Sequence, residues 1–153
     1  MPPLVAIVMG STSDEAIVQE TQKVLDDLGV DYETRVLSAH RTPDKTRDYA
    51  LSARGRGIRV MIGVAGAAAH LPGVLASWTT LPVIGVPAPG SDLGGIDALY
   101  SIVQMPPGVP VAAVAIGGMG ARNAAYLAAS IIGTADERVQ AAYEEFRKKQ
   151  SEA

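Results

Sequence analysis

The stretch Leu4-Val5-Ala6-Ile7-Val8-Met9-Gly10-Ser11-Thr12-Ser13-Asp14 decides the fold. An apolar run of this length, rich in β-branched residues and ended by glycine, has the character of a strand buried on both faces of a parallel sheet. The hydroxyls and the carboxylate that follow lead into a helix. Ile17, Val18, Thr21, Val24, Leu25 and Leu28 recur at helical spacing, and Gly29 closes the pattern. Strand, polar loop and helix in this order are the unit from which wound α/β sheets are built.

The same unit recurs along the chain. Asp31 to Leu37 reads as the second strand and about Pro43 to Arg54 as its helix, with Thr42 as N-cap and Pro43 as first helical residue. Arg59 to Val64 is the third strand, followed by a short helix from Leu71 to about Trp78. Leu81 to Val86 is the fourth, with a helix from about Ile96 to Gln104, and Val109 to Ile116 is the fifth, with an Ala-rich helix from about Ala121 to Ile132. A last amphipathic helix covers about 136–149, with Val139, Ala142, Tyr143 and Phe146 on one stripe, to pack on its own domain or on a neighbouring subunit. Five strands, each followed by a helix, predict a single α/β domain over 1–153. The expected form is a flavodoxin-like three-layer α/β/α sandwich with a parallel sheet in order 2-1-3-4-5, right-handed crossovers and an added C-terminal helix.

Composition narrows the function. Of the 153 residues 48% are hydrophobic and only 19% charged, which leaves little polar surface and suggests coverage by other subunits over an Ala-rich monomer. A net charge of -3 without a basic cluster argues against nucleic acid. The absence of cysteine removes disulfides, thiol nucleophiles and Cys-based metal sites, and two histidines thirty positions apart do not make a protein-built metal site. Met1-Pro2-Pro3 lacks the features of a signal peptide and no apolar run reaches membrane-spanning length, so a cytoplasmic protein with no membrane partner is expected.

In a doubly wound sheet the loops after the strands meet along one edge. Ser11, Ser13 and Asp14 lie in the first of them. Capping of the helix needs only one of these, whereas binding of an anion or a sugar would use the helix N-terminus, the hydroxyls and the Asp14 carboxylate together. Neither a Walker motif nor a Gly-x-Gly-x-x-Gly fingerprint is present. Ser38-Ala39-His40-Arg41-Thr42-Pro43 places an imidazole beside a permanent cation, and Ala65-Gly66-Ala67-Ala68-Ala69-His70 brings the other histidine on a loop of almost bare backbone. Such a set suits a phosphorylated sugar: Arg41 and the helix N-terminus for the phosphate, Asp14 for the ribose, His40 for protons. The long segment Pro87 to Gly95 is of a length for a binding loop or lid but has no motif of its own.

Gly10-Ser11-Thr12-Ser13-Asp14, Ser38 to Pro43, Ala68-Ala69-His70-Leu71-Pro72-Gly73 and Ser101-Ile102-Val103-Gln104-Met105-Pro106 together resemble the N5-carboxyaminoimidazole ribonucleotide mutases of purine biosynthesis, over about Val5 to Arg147. The resemblance implies a homo-octamer with sites near subunit contacts and no cofactor or metal. It further implies conversion of N5-carboxyaminoimidazole ribonucleotide to 4-carboxy-5-aminoimidazole ribonucleotide. By motif match, Ser11, Asp14 and Arg41 hold the ribose phosphate and His40 is the acid/base. Ser13, Ser38, Gly66, Ala67, Ala68, His70 and Leu71 complete the expected substrate contacts. Relatives that carboxylate aminoimidazole ribonucleotide directly with carbon dioxide typically carry Lys-Gly-Pro after the equivalent histidine, where this chain has Arg41-Thr42-Pro43. A non-catalytic nucleotide-binding module is the more distant alternative. In one respect the chain departs from the mutase pattern: Val64 and Ala67 stand at two positions that are usually glycine, and a glycine needed there for positive φ would leave Ala67 strained by about 1 kcal/mol or more.

Overall fold

The structure is a computed structural model that describes residues 2–153. Its sheet has five parallel strands in the order β2-β1-β3-β4-β5: β1 Val5–Met9, β2 Tyr32–Val36, β3 Val60–Gly66, β4 Val83–Ala88 and β5 Ala112–Ala113. Helices α1 Glu15–Asp27, α2 Pro43–Ala53, α3 Leu71–Trp78, α4 Ile96–Val103, α5 Gly118–Gly133 and α6 Glu137–Ser151 cover both faces. All five residues of β1 are buried because β2 and β3 flank it and helices lie above and below. Val5, Ile7 and Met9 face a core closed by α1, α5 and α6, while Ala6 and Val8 face a second core beneath α2, α3 and α4. A strand wetted on neither side carries no polar alternation, which is why its sequence is an unbroken apolar run.

The strand ends are in register where the loops begin. Met9 pairs with Val36 and with Val64, and Gly66 pairs with Ala88. The loops after β1, β2, β3 and β4 consequently leave the sheet from one edge.

Four elements differ from the sequence reading; β4 lies two residues later than Leu81 to Val86, at Val83–Ala88. β3 runs on to Gly66, because β4 continues beside it and pairs Ala65 with Pro87. β5 shrinks from Val109–Ile116 to two residues: Pro110 has no N–H to give, and an edge strand has one neighbour only. α5 starts at Gly118, three residues early. A Cβ on Gly120 would lie 1.6 Å from the Ala115 carbonyl oxygen, so only glycine lets this first turn pass the exit of β5. The C-terminal helix α6 packs on α5 of its own chain through the stacked rings of Tyr126, Tyr143 and Phe146, with Val139 fully buried.

Candidate active site

The loop after β2 is folded by Ser38. Its hydroxyl accepts the Arg41 N–H (3.0 Å), its carbonyl accepts the Thr42 N–H (2.9 Å) and hydroxyl (3.1 Å), and its own N–H donates to Thr42 Oγ1 (3.0 Å). Buried Thr46 adds a hydroxyl directed at the Ser38 and Thr42 carbonyls. Thr42 thus occupies the N-cap position of α2, but its side chain makes no capping bond. It is spent on bracing the turn, which presents His40 and Arg41 outward into solvent.

Opposite this turn stands His70, in the N-cap position of α3. His40 Nε2 and His70 Nδ1 are 2.8 Å apart, and the rings meet edge to face with centroids 4.9 Å apart. One ring nitrogen of the pair must donate and the other accept, so the tautomer of either histidine fixes that of the other. The chain's two imidazoles, thirty positions apart in sequence, are joined by one hydrogen bond.

The loop after β1 opens with a 3-10 turn, Thr12–Asp14, which Ser11 caps: its hydroxyl accepts the Ser13 N–H at 3.3 Å and the Ser13 hydroxyl at 3.1 Å. One residue does the capping, as the turn requires. Asp14 makes no side-chain capping bond to α1 and lies half-buried against the cleft. Burial pushes its carboxyl above the ordinary value of 3.8, against a weaker downward pull from the Ser11 backbone. A group whose folded pKa is raised favours the protonated native state, so ionised Asp14 costs stability as pH rises through the folded value. Asp14→Asn is expected to raise the melting temperature at pH 7. The gain should shrink on acidification and vanish below the ordinary aspartate range. Thermal melts across that range check the sign, and a lower melting temperature for Asp14→Asn at pH 7 would refute it.

Gly66, Ala67, Ala68 and Leu71 come from the loop after β3 and the first turn of α3. Ala67 has φ +52°, the single positive-φ non-glycine residue among those described. The strain that its sequence position threatened is therefore present, and it sits at the rim of the cleft. Val64, at the other usual glycine position, is a buried residue of β3 outside the positive-φ region. Relief of the Ala67 strain outweighs the added freedom of an unfolded glycine, so Ala67→Gly is expected to stabilise by about 0.5–1 kcal/mol, or about 2 °C in melting temperature. An unchanged or lower melting temperature would contradict this.

Ser11, Ser13, Asp14, Ser38, His40, Arg41, Gly66, Ala67, Ala68, His70 and Leu71 all line one cleft of about 280 Å³. The sequence reading missed Ala88, Gly90 and Ser91, the fourth wall, contributed by the loop after β4. Small residues without a motif gave no signal there, although the loop's length did. Among the described residues, no group of three His, Asp or Glu side chains is arranged to hold a metal. The cleft instead offers one imidazole pair, one guanidinium, one carboxylate, four serine hydroxyls and bare backbone, a set that can bind a phosphorylated polyol and move a proton above it.

The family model described as AIR carboxylase matches residues 4–153. The chain is 53% identical to the N5-carboxyaminoimidazole ribonucleotide mutase of Pseudomonas aeruginosa, over 99% of this chain and 93% of that protein. It is 55% identical to the protein of the same name from Bacillus subtilis, over 97% and 91%. Among solved structures, Treponema denticola PurE superposes with a TM-score of 0.89 at 28% identity, covering 98% of this chain and 92% of that one. With nearly its whole length matched, this chain belongs to the AIR carboxylase family.

Proposed function

We propose that this chain is an N5-carboxyaminoimidazole ribonucleotide mutase, an isomerase of purine biosynthesis that moves a carboxyl group from the exocyclic nitrogen to C4 of the imidazole ring. The observation that carries the reading is the shared cleft: the Arg41 guanidinium and the His40–His70 imidazole pair line it together with the bare loop Ala65 to Ala68, which has no side chain larger than methyl.

In this mechanism Arg41, Ser11 and Ser13 hold the phosphate, and Asp14 accepts from a ribose hydroxyl. His40 gives a proton to the exocyclic nitrogen as the N–CO₂ bond breaks and carbon dioxide leaves. The C4 electrons then attack the carbon dioxide, a C–C bond forms, and the C4 proton returns to His40. The cycle is proton-neutral, so one imidazole serves both steps. His70 keeps His40 in one tautomer and orientation. The short side chains of Ala65 to Ala68 let the loop lie close over the reacting centre, where exclusion of water keeps carbon dioxide near the ring and makes recapture effectively unimolecular.

The same reading treats 1–153 as a single domain working in the cytoplasm as a homo-octamer. Support for association comes from α4, which exposes Ile96, Tyr100 and Val103 beside exposed Leu93 with nothing of its own chain to cover them. No helix of the described residues is long and apolar enough to cross a membrane.

The test is a choice of substrate. The purified protein is expected to turn over N5-carboxyaminoimidazole ribonucleotide efficiently and aminoimidazole ribonucleotide with bicarbonate poorly. The reverse preference would make it a direct carboxylase, and binding without turnover of either would make it a non-catalytic binding module.

A further inference from the structure

The fourth wall of the cleft is shaped from outside the cleft. At its start, Ala88 is paired with Gly66 in the sheet, and the Gly117 N–H donates to the Pro87 carbonyl at 2.9 Å. At its end, Gly95 has φ +89°, and a Cβ there would lie 2.7 Å from Ile116 and 3.0 Å from the Pro89 backbone. The chain can return at this point only as glycine. Between the two fixed ends, Ser91 is the hub. Its hydroxyl donates to Asp97 Oδ1 at 2.7 Å and accepts the N–H groups of Leu93 (3.3 Å) and Gly95 (3.4 Å), and its carbonyl accepts the Gly94 N–H at 3.0 Å. One proton and two lone pairs are thereby committed, so Ser91 has no hydroxyl capacity left for a ligand. Gly90 beside it has open space where a side chain would be, and it faces the cleft with backbone alone.

Asp97, the second residue of α4, does not itself line the cleft. From this arrangement we propose that Asp97 is a positioning residue: by holding the Ser91 hydroxyl it fixes the Pro89–Ser91 backbone, and with it the width of the cleft on the side facing His40 and His70. The proposal rests on the mutase reading above, since it assigns to this wall a share in binding the ribonucleotide. Without Asp97 the hydroxyl of Ser91 loses its only charged partner, and the segment between Ala88 and Gly95 keeps only the backbone bond from the Ile96 N–H to the Leu93 carbonyl as a tie to α4.

In the full chain, Asp97→Ala and Ser91→Ala are each expected to raise KM for N5-carboxyaminoimidazole ribonucleotide about tenfold, the loss of one hydrogen bond to a charged group, with the defect falling on KM more than on kcat. Asp97→Asn keeps an oxygen acceptor for the hydroxyl and is expected to restore most of the affinity. The double alanine variant should be no worse than either single variant, because both remove the same contact. Amide hydrogens of Leu93 and Gly95 should exchange faster in the alanine variants. A purely structural role would lower the melting temperature and leave KM untouched in the folded protein. Unchanged KM in folded Ser91→Ala and Asp97→Ala, or additive losses in the double variant, overturns the proposal. If the wild-type protein fails to turn over the ribonucleotide, the mutase reading falls. The loop tie is then decided by amide exchange, and unchanged exchange at Leu93 and Gly95 in Ser91→Ala overturns it.

Discussion

His40→Asn is expected to lower kcat by about 100- to 10,000-fold, the usual range for loss of a positioned acid/base group, while the ribonucleotide product still binds. Asparagine keeps a polar side chain of similar reach but carries no proton between nitrogen and C4. Since the proton is in flight only in the transition states, kcat and kcat/KM should fall together. His40 is held for this work by two contacts of different kinds. The Ser38–Thr42 turn fixes its backbone, and the 2.8 Å bond to His70 fixes its ring. His70→Asn leaves the proton carrier in place and disturbs only its orientation, so its loss should be the smaller of the two. Steady-state rates and calorimetric binding of the product separate these cases. A near-normal rate for His40→Asn would remove His40 from the role, and an equal loss at His70→Asn would make His70 a proton carrier and not an orienting residue.

Arg41→Ala is expected to weaken ribonucleotide binding by about 10- to 150-fold, corresponding to about 1.5–3 kcal/mol for hydrogen bonds between charged partners. The guanidinium is solvent-exposed, lines the cleft, and has no carboxylate within salt-bridge distance among the described residues. It is a cation kept in reserve in a protein of net charge -3. Lysine would keep the charge and lose the two-pronged fit to a phosphate, so Arg41→Lys should fall between the alanine variant and the wild type. Rising salt should narrow the gap, because an exposed pair is screened. Calorimetry at two ionic strengths reads all three. A binding constant that does not move on Arg41→Ala would show that the phosphate sits elsewhere.

Much of this molecule was legible in its residues, for reasons that differ from element to element. β1 could be read because a strand buried on both faces must be apolar throughout; the order β2-β1-β3-β4-β5 agrees with the one chosen among doubly wound arrangements, which five βα units allow without dictating. The meeting of Ser11, Asp14, His40, Arg41 and His70 at one edge followed from the topology. The 2.8 Å bond between the imidazoles did not, because it depends on how far two loops lean toward each other. One of Ser11, Ser13 and Asp14 was read as a possible cap, and Thr42 was read as another. Ser11 is one, whereas Thr42 found a closer partner in the Ser38 backbone, a competition settled by loop geometry. β5 was read too long because edge pairing and Pro110 work against an apolar composition. The segment Pro87 to Gly95 was marked as a binding loop by its length, but nothing in its residue types singled out Gly90 or Ser91 within it. Ala67 is the opposite case: its departure from glycine pointed to strain, and its φ of +52° displays it.

The central claim is that the carboxyl group is carried from nitrogen to carbon within this one cleft. It is tested most directly by giving the enzyme N5-carboxyaminoimidazole ribonucleotide labelled with ¹³C in its carboxyl group, in the presence of excess unlabelled bicarbonate and carbon dioxide, and reading the product by mass spectrometry. Retention of ¹³C at the C4 carboxyl is the expected result. A product carrying the unlabelled carbon of the pool would mean that carbon dioxide escapes between the steps, and would contradict a sequestered transfer.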